Sequence, residues 1–328
     1  MKSLYRTWLL VALITAACVV TLGAYVRLSD AGLGCPDWPG CYGKLVGVPQ
    51  HAHEIDAAQQ AFPDAPVEAP KAWKEMIHRY LAGGLGLMIL AVAVAARLER
   101  RPVFWPYALV LLVIFQAALG MWTVTMLLKP VIVTLHLLGG LTTFAILLGL
   151  AWQERLSRKP LRASAMAIRL QPWVWLVLGL VTVQITLGGW TSTNYAAMAC
   201  PDYPLCQGQW VPPMDWEHAF TINRELGQTA AGDGLPLPSL VAIHWLHRWL
   251  AMVVVAALLV LGWRLRTLGW RGYGMALMHT VLLQWLIGVS NVWLQWPLSL
   301  AVLHNTGALL VMSALLVTAL SLRHVANR

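Results

Sequence analysis

Residues 272–322 read GYGMALMHTVLLQWLIGVSNVWLQWPLSLAVLHNTGALLVMSALLVTALSL, 51 positions without one Asp, Glu, Lys or Arg. A bilayer crossing takes roughly 20 apolar residues, so this run is long enough for two. It divides at Gln295-Trp296-Pro297, where proline removes a backbone donor and tryptophan suits the membrane–water interface. Outward from it the pattern repeats: 20 uncharged residues separate Arg6 from Arg27, 27 separate Arg101 from Lys129, and 24 separate Lys129 from Glu154. Apolar stretches between polar breaks predict eight helices, near 7–27, 75–97, 103–127, 131–152, 172–192, 239–263, 273–294 and 299–320. Only 11% of the 328 residues are charged, against about 25% in soluble proteins. A water-soluble enzyme is excluded, and an all-α, multi-pass membrane protein is predicted.

The formal net charge of +9 gives an orientation. An even number of spans places both termini on one side. With that side cytoplasmic, the inner segments hold Lys2, Arg6, Arg97, Arg100, Arg101, Arg155, Arg158, Lys159, Arg162, Arg169, Arg264, Arg266, Arg271, Arg323 and Arg328. These 15 bases face only Glu99 and Glu154, a balance of +13, while the outer side carries 8 bases and 12 acids, or −4. That is the positive-inside pattern, so the basic excess reports topology and nucleic acid is not an expected partner. No A-x-A-like cleavage site follows the first apolar run, which is therefore expected to be a retained helix. Two outer loops, 28–72 and 193–238, run to some 45 residues each, a length that usually carries function.

The two halves resemble each other. Thr21-Leu22-Gly23 recurs as Thr186-Leu187-Gly188, and Cys35-Pro36-Asp37-Trp38-Pro39 recurs as Cys200-Pro201-Asp202-Tyr203-Pro204, followed by Cys41 and Cys206, all at an offset of 165. His78-Arg79 matches His247-Arg248 at 169, while Gln116, Gly120 and His136 match Gln284, Gly288 and His304 at 168. Such offsets predict two repeat-related four-helix bundles, 1–155 and 172–328, joined by an inner linker, 156–171, and related by an axis along the membrane normal.

Four of the ten histidines sit at repeat-related positions, with His78 and His136 on helices 2 and 4 and His247 and His304 on helices 6 and 8. Each falls three to eight residues below its predicted helix start, so each pair shares a depth. Alternate helices of a four-helix bundle stand across its core, and two imidazoles at one level suit the axial positions of a haem iron. One turn on stand Ala82, Gly140, Ala251 and Ala308, small enough to leave room for a flat macrocycle. The competing reading is helix-to-helix hydrogen bonding. Zinc fits less well, because neither pair offers a third and fourth ligand.

Glu75 precedes His78 by three residues, where the second half has His244. A carboxyl there could act as a base or stabilise positive charge, or simply be an exposed helix-start residue favoured by the dipole. Arg27, Arg79 and Arg248 could meet haem propionates or anchor the outer edge. The pairs Cys35/Cys41 and Cys200/Cys206 read either as loop staples or as redox-active thiols. Cys18, mid-helix, reads as an inert small hydrophobe.

Together these features resemble the haem A synthases, the membrane enzymes that convert haem O to haem A. The resemblance covers nearly the whole chain and rests on Glu75-Met76-Ile77-His78-Arg79, the four histidines, the Gly23-Ala24-Tyr25-Val26-Arg27-Leu28 segment and the cysteine pairs of bacterial members. It implies a substrate haem on His78 and His136, haem b on His247 and His304, and Glu75 as the residue closest to catalysis. The reaction implied is oxidation of the porphyrin C8 methyl to a formyl group. It further implies a bacterial inner membrane with the haem sites toward the periplasm. Expected partners are haem O, membrane lipid, and haem O synthase or terminal oxidase assembly factors, with a homo-oligomer left open. Two other classes compete: a b-type membrane cytochrome linked to outer-face thiols or quinone, and a haem-transfer protein that leaves haem unchanged.

Overall fold

The computed structural model describes residues 3–158 and 165–327. Lys2, Lys159, Arg162 and Arg328 of the inner charge count, and residues 159–164 of the expected linker, lie outside the described residues. Among those described, the chain is helical without strands, and eight helices are long and apolar enough to cross a membrane. They are α1 (Leu4–Leu28), α2 (Ala69–Leu98), α3 (Phe104–Thr125), α4 (Pro130–Arg158), α5 (Gln171–Thr193), α6 (Leu237–Thr267), α7 (Arg271–Trp293) and α8 (Leu298–Ala326). Only 17–33% of each apolar window is buried within the fold, so the rest of that surface needs lipid. The chain is a multi-pass membrane protein.

Seven of the eight helices begin within three residues of expectation; α2 begins six earlier, at Ala69 rather than 75. Pro70 sits in its first turn, where a missing N–H costs nothing and the fixed φ favours a helix. Two consequences follow. Glu75 is a second-turn residue rather than a helix-start one, and the histidines lie deeper than expected, six to ten residues below the helix starts.

Helix ends are made by recurring devices. Leu127 and Leu128 (φ 47° and 58°) turn α3 into α4, and Gln295 and Trp296 (φ 58° and 63°) turn α7 into α8. Such angles are costly for non-glycine residues, and a backbone bond offsets them at each turn: Leu128 N–H to Thr123 O, 2.8 Å, and Trp296 N–H to Asn291 O, 2.7 Å. Ser3 Oγ and Tyr5 N–H donate to Glu99 at 2.6 and 2.9 Å, tying the start of α1 to the α2–α3 turn.

The chain forms two compact units, Met1–Thr143 with Ile222–Asp233, and Phe144–Thr221 with Gly234–Arg328. In the second, α5 packs on α6, α6 on α7, α7 on α8 and α8 on α5, closing a ring of four helices. Its core includes Val177, Val181, Leu258, Leu261, Leu277 and Leu315. The backbones of α6 and α7 touch where a Cβ on Gly274 would lie 2.3 Å from Gly262 O, the close approach that small residues permit in membranes. In the first unit α2 packs on α1 and α3, and the Gln116 amide of α3 occupies the space above Gly139 of α4.

Both cysteine pairs are disulfide-bonded, Cys35–Cys41 and Cys200–Cys206. Each closes a hairpin organised by an aspartate. Asp37 accepts from Tyr42 N–H (2.6 Å) and Gly43 N–H (2.8 Å), and Asp202 from Gln207 N–H (2.6 Å) and Gly208 N–H (2.9 Å). The first long loop also holds a helix, Ala52–Ala61. Glu54 in its first turn accepts from Gln50 N–H at 2.9 Å and His51 N–H at 3.3 Å and pairs with Lys44. The Gln50 N–H, the Lys44 ammonium and the His51 N–H hold its carboxyl at about 2, below the ordinary 4.5. A depressed folded value means that this contribution is complete above about 4.5 and lost as pH falls through about 2. Helix 52–61 is therefore expected to lose amide-exchange protection across that window, and a Glu54→Gln chain to show no such step.

Candidate functional site

The four repeat-related histidines converge in pairs, one pair in each unit. His247 of α6 and His304 of α8 face one another with ring centroids 6.5 Å apart and planes at 78°. His136 of α4 lies within Coulombic reach of His78 of α2. All four residues are half-buried. The Nδ1 atoms of His78, His136 and His304 are buried without a hydrogen-bond partner.

Each imidazole rests on a glycine of the preceding helix. A Cβ on Gly23 would lie 2.9 Å from His78 Cε1, on Gly120 3.4 Å from His136 Cε1, on Gly188 3.2 Å from His247 Cε1, and on Gly288 2.9 Å from His304 Cε1. Glutamines brace the rings from the side. Gln184 Nε2 reaches His247 Nδ1 at 3.1 Å and donates to His247 O at 3.0 Å, and Gln284 Nε2 donates to His304 O at 2.9 Å. Reading the sequence missed both layers as parts of the site. Gly23/Gly188, Gly120/Gly288 and Gln116/Gln284 were visible as repeated letters, but not as the surface beneath each ring. Gln184 has no such counterpart.

These features fit a haem iron. An imidazole nitrogen binds a metal at about 2 Å, and rings with centroids 6.5 Å apart leave space for one metal atom between them. Among the described residues no group of three or more His, Cys, Asp and Glu could hold a bare ion, so two imidazoles per pair are what the chain offers.

Glu75 is 4% exposed and bound on both oxygens. Oε2 accepts from Cys35 N–H at 3.0 Å, and Oε1 pairs with Arg79. The Arg79 guanidinium also donates to Asp37 O (3.0 Å), Pro39 O (3.3 Å) and Gly40 O, holding the disulfide hairpin on α2. In the second unit His244 stands in that place, 5% exposed. Its Nε2 accepts from Arg248 Nε at 3.1 Å and its Nδ1 lies 3.4 Å from Cys200 N. Arg248 donates to Asp202 O (2.6 Å), Leu205 O (3.0 Å) and Cys200 O. Both arginines are thus engaged by the loops, while Arg27 lies 3.8 Å from Asp30 at the end of α1.

The fold and paired histidines define a polytopic membrane protein with two imidazole pairs built into its helices. Residues 6–316 match the COX15-CtaA family, described as cytochrome oxidase assembly protein. The chain is 42% identical to the Heme A synthase of Shewanella oneidensis over 94% of each chain. It is 30% identical to that of Novosphingobium aromaticivorans over 93% of this chain and 91% of the relative. The Heme A synthase of Sphingopyxis alaskensis is 29% identical over 98% and 92%. The chain belongs to the COX15-CtaA family of cytochrome oxidase assembly proteins.

Proposed function

We propose that this chain makes haem A by oxidising the C8 methyl of haem O to a formyl group. The substrate haem is held by His78 and His136 and haem b by His247 and His304. The observation that carries this reading is the opposed, glycine-seated histidine pair at 6.5 Å, supported by relatives named Heme A synthase along almost the full length. Haem b, when bound, supplies a one-electron redox centre, and a four-electron oxidation needs electrons removed in stages. His247 and His304 would hold such a group, with Gln184 beside the His247 ring and Gln284 on the His304 carbonyl. Glu75 acts on the substrate side, stabilising positive charge or activating water. Arg27, Arg79 and Arg248 stand at the histidine ends of α1, α2 and α6 as candidate cations for haem propionates. Pairing there would draw Arg79 and Arg248 away from loop carbonyls.

The test is the product. Purified chain supplied with haem O and an electron acceptor should yield a formyl-bearing haem in the extract beside haem b. Recovery of unmodified haems alone would overturn the reading in favour of an electron carrier or a haem-transfer protein.

Both termini belong in the cytoplasm and the histidine ends toward the periplasm in this proposal, following the +13 inner balance. A protease site inserted in 52–61 should be cut in intact spheroplasts and one at the C-terminus should not; the reverse pattern would invert the topology.

The glycine seats make a further prediction. Valine at Gly288 would press against His304, since its Cβ alone would stand 2.9 Å from Cε1. Overpacking of this kind costs about 1–3 kcal/mol, here borne by the ring's orientation. Gly288→Val is expected to weaken haem b retention and change its low-spin spectrum, with Gly288→Ala milder. A normal spectrum for Gly288→Val would show that the seat does not position the ring.

A further inference from the structure

Each disulfide hairpin carries an apolar pair that the proposed chemistry does not use. Leu45-Val46 and Trp210-Val211 stand four and five residues after Cys41 and Cys206 respectively. Their side chains are 75% and 78% exposed in the first hairpin and 59% and 65% in the second. Tight turns in water favour Gly, Asn, Asp, Ser and Pro. Adjacent large apolar residues open to solvent at corresponding places in two loops mark an interaction surface.

The fold fixes the level at which these pairs stand. Gly47 N–H donates to Tyr80 Oη at 2.8 Å, pinning the first hairpin to α2. Trp245 Nε1 donates to Trp210 O at 2.8 Å, pinning the second to α6. Arg97 and Arg264, in the last turns of α2 and α6, each mark one edge of their own helix's apolar length. Tyr80 lies 17 residues before Arg97, and Trp245 lies 19 before Arg264. At 1.5 Å per residue these separations are about 26 and 28 Å, close to the roughly 30 Å of a hydrocarbon core. Tyr80 and Trp245 therefore stand at the opposite edge, the level that amphipathic aromatic rings prefer. Ile77, Leu81 and Trp249 beside them are also exposed on their helices.

We propose that Leu45-Val46 and Trp210-Val211 dip into the interfacial layer of the adjacent lipid leaflet and anchor both disulfide hairpins to the membrane surface. The partner is lipid because each pair is pinned, through its own backbone or its neighbour's, to a bilayer-crossing helix at the rim of that helix's apolar length. Each hairpin is also the element that holds Glu75 or His244, so anchoring it steadies the loop above each histidine pair.

Spin labels test this on the full chain in lipid nanodiscs. Val46→Cys and Val211→Cys are each labelled in a Cys18→Ala background, since Cys18 is the free cysteine among the described residues. Gln60→Cys, on the exposed loop helix, serves as the aqueous control, and Leu87→Cys, 71% exposed on α2, as the lipid control. The expected result is loss of collisions with a water-soluble nickel chelate and gain of collisions with oxygen, relative to Gln60→Cys and toward Leu87→Cys. Collision rates equal to those of Gln60→Cys at both sites would overturn the proposal. Should an added thiol disturb a hairpin, a benzophenone amino acid at position 45 or 210 replaces the label. Photocrosslinks to lipid acyl chains support anchoring, whereas crosslinks to protein with none to lipid refute it.

Discussion

A His136→Ala chain is expected to form no haem A while still carrying haem b, and a His304→Ala chain to lose haem b. The asymmetry follows from where the proposed ligands sit. His78 and His136 fall within Met1–Thr143, and His247 and His304 within Gly234–Arg328, each pair inside one compact unit. Removing one imidazole takes one ligand from one proposed haem site and leaves the other unit's helices and glycine seats untouched. His304→Ala should also slow turnover severely, because the site proposed for a one-electron redox group would lose one of its two imidazoles. Absorption spectra of the purified variants report the ligation, and chromatography of extracted haems reports the product. Haem A formed at the parental rate by a folded His136→Ala chain would remove that residue from the substrate site. Loss of both haems from either folded variant would show that the two sites are not independent.

Much of this arrangement was legible in the letters, for physical reasons that also set the limit. Charge is so costly in hydrocarbon that uncharged runs such as 272–322 located α7 and α8 directly. The start of α2 was obscured because Lys71 and Lys74 break the apolar pattern, although Pro70 is a helix-start signal. The helix 52–61 is too polar to show apolar periodicity; its signal was Glu54, placed to accept from Gln50 and His51. The histidine pairing was readable from matching depth on alternate helices. What lies under each ring was not, because a repeated glycine does not reveal which neighbour it faces. The Glu75–Arg79 pair was implicit in i,i+4 spacing. Its bond to Cys35 N–H spans 40 residues and depends on how the loop folds back.

Glu75→Gln is expected to keep the fold and both haems yet lower turnover by roughly 10²–10⁴-fold, the range for a general acid or base. The first half of this expectation rests on what glutamine retains. Its amide oxygen can still accept from Cys35 N–H, and Arg79 keeps the carbonyls of Asp37, Pro39 and Gly40. The second half rests on a comparison within the chain. His244 occupies the corresponding place and accepts from Arg248 Nε at 3.1 Å, and the hairpin there is held by Arg248 through Asp202 O, Leu205 O and Cys200 O. Tying a hairpin to its helix therefore requires an arginine on the loop carbonyls and no carboxylate beside it. A buried carboxyl is more than that task demands, and even paired with Arg79 it carries a desolvation cost. Its presence in the half assigned to the substrate is the physical argument for a chemical role. Glu75→His separates the two roles further: it should preserve the hairpin, read by intact Cys35–Cys41 and normal haem spectra, while turnover falls as far as in Glu75→Gln. Full turnover in either variant, with both haems bound, would reduce Glu75 to a tie between loop and helix.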